Sequence, residues 1–176
     1  YKGETVISAI GQGYDLVTPL QIARYTGMLA TSNLAVPHMA KMIDNKIVQP
    51  ELQHIDFDAY YLGQIRKGMF DVCNTPGGTA FRTMSKLPII VAGKTGTSQV
   101  TSIPQSTKKR LKESQLAYFH RSHAWLTTYA PYDNPQYIVT MLVEHGGHGG
   151  STAGPMVADI YKWLYKHGYF KEERIP

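Results

Sequence analysis

The segment from Pro88 to Val100 constrains the fold of this 176-residue chain more than any other. Its first part, Ile89–Val91, is apolar and β-branched, and a run of this kind bounded by proline and glycine predicts a buried strand. The run leads into Gly93–Ser98, which combines a lysine, several hydroxyl groups and glycine. Because glycine lets a ligand approach the backbone closely, we expect this end of the strand to bind an anion or a polarised carbonyl group.

Composition limits the classes of protein to which the chain can belong. A hydrophobic content of 43% and a charged content of 18% exclude wholesale disorder and fit one domain or a large part of one. The net charge of +5 comes partly from a local cluster, Lys108–Lys112, which is typical of a solvated loop. No nucleic-acid-binding signature accompanies this cluster. The single cysteine, Cys73, cannot form an intramolecular disulfide bond.

Gly93-Lys94-Thr95 also matches the end of a P-loop, the phosphate-binding motif of nucleotide hydrolases. That motif requires another glycine five positions before its second one, where this chain has Pro88, and a helix directly after the Lys-Thr pair. The residues after Thr97 are instead polar and β-prone. The sequence therefore disfavours a nucleotide site.

The first half of the chain predicts two helices and a hairpin. Thr18 and Pro19 mark the start of a helix whose apolar face is predicted from its helical spacing. That face comprises Leu20, Ile22, Ala23, Tyr25, Gly27 and Leu29. Asp44-Asn45 predicts a hairpin turn. A second helix is expected after Asp58, with Leu62, Ile65, Met69 and Val72 at helical spacing, and residues 74–80 form a turn-rich break.

The second half predicts two further strands and a final helix. The strands, at residues 122–130 and 136–144, are joined by a short turn, so with the Lys94 strand they should form an antiparallel sheet. A glycine loop at residues 145–150 precedes a helix with Pro155 near its start and Val157, Ile160, Tyr161 and Leu164 on its apolar face. Residues 101–114 are expected to form a flexible surface loop and residues 171–176 a frayed tail.

Several histidines could suggest a zinc site. His145 and His148 lie three positions apart in the glycine loop, with His120, His123 and Glu144 nearby in the sequence. This spacing is a loose match to zinc sites, and no cysteine pair supports it. We therefore expect no metal.

The chain carries a set of landmarks in a specific order. They are residues 10–13 (Ile-Gly-Gln-Gly), 18–21 (Thr-Pro-Leu-Gln), 76–80 (Pro-Gly-Gly-Thr-Ala), 94–100 (Lys-Thr-Gly-Thr-Ser-Gln-Val), 123–125 (His-Ala-Trp), 129–132 (Tyr-Ala-Pro-Tyr) and 134–135 (Asn-Pro). The set resembles the C-terminal part of the transpeptidase domain of class B penicillin-binding proteins, and most closely the elongation transpeptidases. The resemblance covers nearly the whole chain, residues 1–176.

The resemblance implies an α+β fold, an antiparallel sheet flanked by helices as in serine β-lactamases, of which this chain would be a partial domain. It implies serine acyl transfer: a serine attacks the D-Ala-D-Ala stem peptide, an amine then accepts the acyl group, and β-lactams acylate the same serine. Lys94 would place positive charge near the bound carboxylate and the proton-relay serine, and Thr95 and Thr97 would hydrogen-bond that carboxylate. Gly96 would leave room for the peptide, and the Thr97 N–H would be an oxyanion-hole donor.

Two motifs of that family are missing from the chain. Ser-x-Asn does not occur, and the only Ser-x-x-Lys, Ser106-Thr107-Lys108-Lys109, lies in the polar loop after the Lys94 strand, so we interpret it as a chance match. We therefore expect the nucleophile and its lysine to lie upstream of this chain. A division-specific transpeptidase and a non-catalytic penicillin-sensor domain on the same scaffold remain alternatives.

The resemblance also implies a location and partners. By that resemblance the parent protein would be periplasmic and anchored in the inner membrane by an upstream segment. The chain itself contains no apolar run long enough for a span. The partners of the parent protein would be a glycosyltransferase and a scaffold protein of the elongation machinery. No cofactor and no nucleic acid are implied.

Overall fold

The computed structural model describes residues 2–101 and 111–170. Its α-helices in this part of the chain are α1 (Lys2–Ser8), α2 (Pro19–Thr31), α3 (Ala59–Asn74), α4 (Phe81–Met84) and α5 (Gly149–Lys166). Its strands are β1 (Asn33–Ala35), β2 (Met42–Ile43), β3 (Lys46–Ile47), β4 (Leu52–His54), β5 (Ala92–Ser98), β6 (His123–Ala130) and β7 (Tyr137–Val143). Two 3₁₀ turns, Glu113–Gln115 and Tyr118–His120, precede β6. None of the helices described is both long enough and apolar enough to cross a membrane.

The central sheet is antiparallel in the order β5-β6-β7. Lys94 lies opposite Thr127, which in turn lies opposite Thr140. From His123 to Thr128 the residues of β6 alternate between half-buried and buried, because successive side chains of a strand point to opposite faces of the sheet. The predicted antiparallel sheet containing the Lys94 strand is thus confirmed.

Helices cover both faces of this sheet. On one face, α4 and α5 bury a core that includes Met84, Leu126, Val157 and Tyr161. On the other, α2 and α3 bury a second core of Leu29, Ala30, Leu62, Met69, Ala92 and Tyr129. Each large apolar side chain that leaves water contributes about 1.5–3 kcal/mol, so the two cores fix the helices against the sheet. The predicted α+β fold class is confirmed.

The start of α2 was predicted correctly, and its buried face was predicted in part. Thr18 caps the helix: its hydroxyl accepts the N–H of Gln21, whose side chain accepts the N–H of Thr18. Leu29 is buried as predicted, but Leu20 and Tyr25 are exposed, and Thr26 and Ala30, which were not assigned to this face, are buried. A hydrogen bond explains why Thr26 can be buried. Its hydroxyl lies 2.7 Å from the hydroxyl of Thr127 and is thereby satisfied on the core face of the helix.

The apolar patterns of α3 and α5 were predicted in the main. Leu62 and Met69 are buried as expected, but Ile65 is exposed. Val157 and Tyr161 are buried as expected, but Ile160 is exposed.

A small hairpin arm separates α2 from α3. The predicted turn at Asp44-Asn45 joins β2 to β3, and both residues have positive φ angles of 48° and 60°, as a tight two-residue turn requires. A second antiparallel pair, β1 with β4, flanks this hairpin in the chain and was not predicted from the sequence.

The strand predicted at Ile89–Val91 lies further along the chain in the structure. Ile89 and Val91 are buried, but the strand itself begins at Ala92 and consists of the polar motif. The carbonyl groups of Ile90 and Val91 accept the Tyr132 N–H at 3.0 Å and the Asn74 side-chain amide at 2.8 Å. These bonds take the place of ladder bonds, so the apolar run enters the core before pairing with β6 begins.

Two buried tyrosines offer a test of the core. The Tyr161 hydroxyl lies 2.9 Å from the Thr128 hydroxyl, which itself donates to the Val139 carbonyl, whereas the Tyr129 hydroxyl has no hydrogen-bond partner in the described part of the chain. Burial raises the pKa of both phenols, so both stay protonated at neutral pH. In urea unfolding, Tyr161→Phe is expected to lower the free energy of unfolding by about 1 kcal/mol, and Tyr129→Phe to leave it unchanged or raise it. Equal losses for the two variants would contradict this assignment.

Candidate active site at the outer edge of β5

The four residues predicted to form the site lie together on β5. Lys94, Thr95, Gly96 and Thr97 are consecutive, and within the described residues β5 pairs only with β6, so its other side is an outer edge. Strand alternation places Lys94 and Gly96 on the face of α2 and α3, and Thr95 and Thr97 on the face of α5. Side chains on both faces of β5 therefore border its outer edge, and the space along this edge is called the groove below.

Backbone groups of alternate residues point out of this edge. The Thr95 carbonyl accepts a hydrogen bond from the Lys94 ammonium at 2.7 Å, and the Thr97 carbonyl accepts one from the Gln12 side chain at 2.8 Å. In a strand the N–H and C=O of one residue point to the same side. The Thr97 N–H therefore points away from β6, toward the groove, which is the orientation an oxyanion-hole donor needs.

A second hydroxyl lies beside the motif. Thr79 Oγ1 lies 2.7 Å from Thr95 Oγ1, at the end of the turn that follows α3. Gly78 fixes this turn, because a Cβ there would lie 2.5 Å from the Asp71 carbonyl oxygen. The sequence pattern indicated only a turn-rich break at residues 74–80 and assigned no role to Thr79. The available signal was its place in the ordered set of landmarks.

The first turn of α5 lies directly against β5 and β6. The predicted glycine loop was too long by two residues, because Gly149 and Gly150 belong to the helix and Pro155 lies well inside it. A Cβ on Gly149 would collide with the Trp125 carbonyl oxygen and lie 2.8 Å from that of Gly96. The two glycines are therefore used for close packing of a helix end, where a loop had been predicted.

Gly96 itself faces an aromatic residue. Trp125 lies opposite Gly96 on β6, and a Cβ added to Gly96 would approach Trp125 Cβ to 3.1 Å. Glycine thus keeps the middle of the motif clear of side-chain atoms next to a half-buried indole.

The histidines near β6 contact one another. The His145 N–H donates to His123 Nδ1 at 2.9 Å, and the two rings lie 4.7 Å apart between centroids. This bond requires an unprotonated Nδ1 on His123. No group of three potential metal ligands occurs in residues 2–101 and 111–170.

Two rival types of site are inconsistent with the geometry. Lys94 lies within an antiparallel strand, whereas the lysine of a P-loop opens a helix. Cys73 is fully buried, and burial raises the pKa of its thiol to about 12, so it is no nucleophile at neutral pH. The Ser106–Lys109 match lies outside the described residues.

Comparison with known proteins follows the same motifs. The family described as penicillin binding protein transpeptidase domain matches residues 1–162. The chain is 33% identical over 182 aligned positions to the peptidoglycan D,D-transpeptidase MrdA of Haemophilus influenzae, covering 99% of this chain and 27% of the relative. It therefore spans about a quarter of the length of that relative.

Solved structures give the same result. The structure of the complex between the penicillin-binding protein PBP2 and MreC from Helicobacter pylori is similar, with a TM-score of 0.78 and 42% identity, covering 96% of this chain and 28% of that one. A second, from work on polymerization and crosslinking by a peptidoglycan synthase complex, has a TM-score of 0.71 and 29% identity, covering 99% and 28%. These similarities confirm the resemblance predicted from the motif order.

Proposed function

The chain belongs to the family of penicillin-binding protein transpeptidase domains, and from this premise we propose that it supplies one wall of the active site of a D,D-transpeptidase. The enzyme would cross-link peptidoglycan stem peptides by serine acyl transfer during cell-wall elongation and would be acylated by β-lactams. The observation that carries the proposal is the position of Lys94–Thr97 on the outer edge of β5. The Thr97 carbonyl, and with it the Thr97 N–H, is directed away from β6.

Each residue of the motif has a role that follows from its chemistry. Lys94 is an exposed cation on the groove and attracts the carboxylate of the stem peptide. The hydroxyls of Thr95 and Thr97 hydrogen-bond that carboxylate, and Gly96 leaves space for the peptide backbone. The Thr97 N–H stabilises the oxyanion formed when the serine attacks, and losing one such donor typically costs about 2.7–4 kcal/mol of transition-state stabilisation.

The nucleophile is assigned to sequence upstream of this chain. The acyl-enzyme forms when an activated serine adds to the carbonyl carbon of the penultimate D-Ala and the terminal D-Ala leaves as its amine. An amine from a neighbouring strand then displaces the serine oxygen. Lys94 and Thr97 act on the charges that develop in both steps, which is why one wall of the site serves acylation and transfer alike.

Location and partners follow by the same proposal. The relative from Helicobacter pylori was solved in a complex with MreC, and another relative comes from a peptidoglycan synthase complex. These complexes support a scaffold protein and a glycosyltransferase as partners of the parent protein. We place that protein in the periplasm, anchored in the inner membrane through an upstream segment.

Intact-mass spectrometry with excess benzylpenicillin tests the proposal. The chain alone, at 19.7 kDa, is expected to show no adduct, whereas the full-length protein should gain one acyl group. An adduct on the 19.7 kDa chain that disappears in Ser106→Ala would place the nucleophile within this chain and contradict the assignment. No adduct on the folded full-length protein would overturn the proposed activity.

A further inference from the structure

The geometry points to Gln12 as a positioning residue for the transpeptidase site, acting through Thr97. Its side-chain amide donates to the Thr97 carbonyl at 2.8 Å, and its Oε1 lies 3.4 Å from the N–H of Gln99. This inference rests on the proposed function, since it concerns the same groove. It adds a residue 85 positions away from Thr97 in the sequence, outside the Lys-Thr-Gly motif.

The loop after α1 is built to present this side chain. Gly11 and Gly13 flank Gln12, and both have positive φ angles, 70° and 78°, which glycine adopts without strain. The Gly11 and Gln12 N–H groups bond to carbonyls of α1, those of Ser8 and Ile7, which fix the loop against the helix end. Gln12 is half-buried although its neighbours on both sides are exposed. The loop therefore turns inward at this residue alone.

The amide occupies the edge of β5 as a residue of a paired strand would. A residue of a neighbouring parallel strand donates to the carbonyl of one residue and accepts the N–H of the residue two positions later. Gln12 makes both contacts, to Thr97 and Gln99, with one side chain. Gln12 thus occupies the edge hydrogen-bonding groups of β5 that follow the Thr97 N–H. A bound peptide can therefore pair with β5 only as far as that N–H.

Two consequences follow for the reaction. Fixing the Thr97 carbonyl restrains the backbone of that residue, and this holds its N–H in the direction of the reacting carbonyl. Closing the edge at this point also fixes where the bound peptide must stop along the strand. A displacement of about 1 Å in such a site can cost about 100-fold in rate, so a brace at Thr97 should affect the chemical step more than binding.

The test compares variants of Gln12 in the full-length protein. Gln12→Glu keeps the size of the side chain but removes the N–H donor, Gln12→Ala removes the whole amide, and Gln64→Glu is a matched control on the exposed surface of α3. We expect both Gln12 variants to lower the rate constant for acylation by benzylpenicillin at saturation by about tenfold, with a smaller change in its dissociation constant. Gln64→Glu should match the unsubstituted protein.

The pH dependence of the acylation rate distinguishes a positioning role of Gln12 from a purely structural one. When protonated, the carboxyl introduced by Gln12→Glu can again donate to the Thr97 carbonyl, and a carboxyl beside a carbonyl oxygen has its pKa raised above about 4.3. The ratio of its acylation rate to that of the unsubstituted protein should therefore recover as the pH falls from 7 to 5, whereas the Gln12→Ala ratio should stay constant. Urea unfolding of both variants checks that they are folded.

Three results would overturn the inference. They are acylation rates of folded Gln12 variants within twofold of the unsubstituted protein, a loss confined to the dissociation constant, and a Gln12→Glu ratio that does not change with pH. These differ from a failure of the proposed function, in which the unsubstituted full-length protein itself would not be acylated.

Discussion

Lys94→Ala in the full-length protein is expected to lower the rate of acylation by benzylpenicillin by about 10²–10³-fold, which is the effect typical of removing a group that stabilises charge in an acyl-transfer site. Lys94 is exposed, and its ammonium contacts only the carbonyl of the neighbouring Thr95 within the described residues. Its removal should therefore change the free energy of unfolding by no more than about 0.5 kcal/mol. A large loss of activity without a loss of stability is the expected signature.

Two variants sharpen the measurement. Lys46→Ala removes an exposed lysine from β3 in the hairpin arm, and it should acylate at the unsubstituted rate. Lys94→Arg keeps the charge but replaces a compact ammonium by a planar guanidinium, so it should recover only part of the activity. If stopped-flow acylation of folded Lys94→Ala were within threefold of the unsubstituted protein, the role of Lys94 would be wrong, even if the protein remained a transpeptidase.

Features set by neighbouring residues were predictable from the sequence. The capping box at Thr18 and the turn at Asp44-Asn45 depend on residues a few positions apart, and both occur where the pattern placed them. The strands β6 and β7 were equally predictable, because alternating β-branched and aromatic residues bounded by turn residues are typical of strands. The motif order also located the site strand, since it depends only on which residues follow one another.

Features that depend on contacts between distant segments were not predictable in the same way. Gln12 reaches Thr97 across 85 positions, and Thr79 meets Thr95 from a loop that looked structural. The burial of Thr26 in α2 was missed because its hydroxyl finds a partner only once β6 is in place. In each case a polar group finds its hydrogen-bond partner in a distant segment of the chain. Hydrophobic periodicity carries no information about such partners.

The site thus depends on three segments that meet at β5: the Gln12 loop, the turn ending in Thr79 and the first turn of α5. The last of these predicts the largest effect on stability. Gly149→Ala would place a Cβ against the Trp125 carbonyl oxygen and 2.8 Å from that of Gly96, and both contacts are with backbone, which cannot rotate away. We expect the free energy of unfolding to fall by about 3 kcal/mol, the upper end for an overpacked site, with a lower melting temperature.

The matched control is another helical glycine. Gly63 lies on the exposed side of α3 with open space where its Cβ would be, so Gly63→Ala should raise the free energy of unfolding by about 0.4–1 kcal/mol through the lower entropy of the unfolded chain. The same substitution would then have opposite signs in two helices. Because α5 can relieve the clash only by moving away from Gly96, Gly149→Ala should also slow acylation. A melting temperature for Gly149→Ala equal to or above that of the unsubstituted protein would show that α5 does not pack against the Lys94 strand as described.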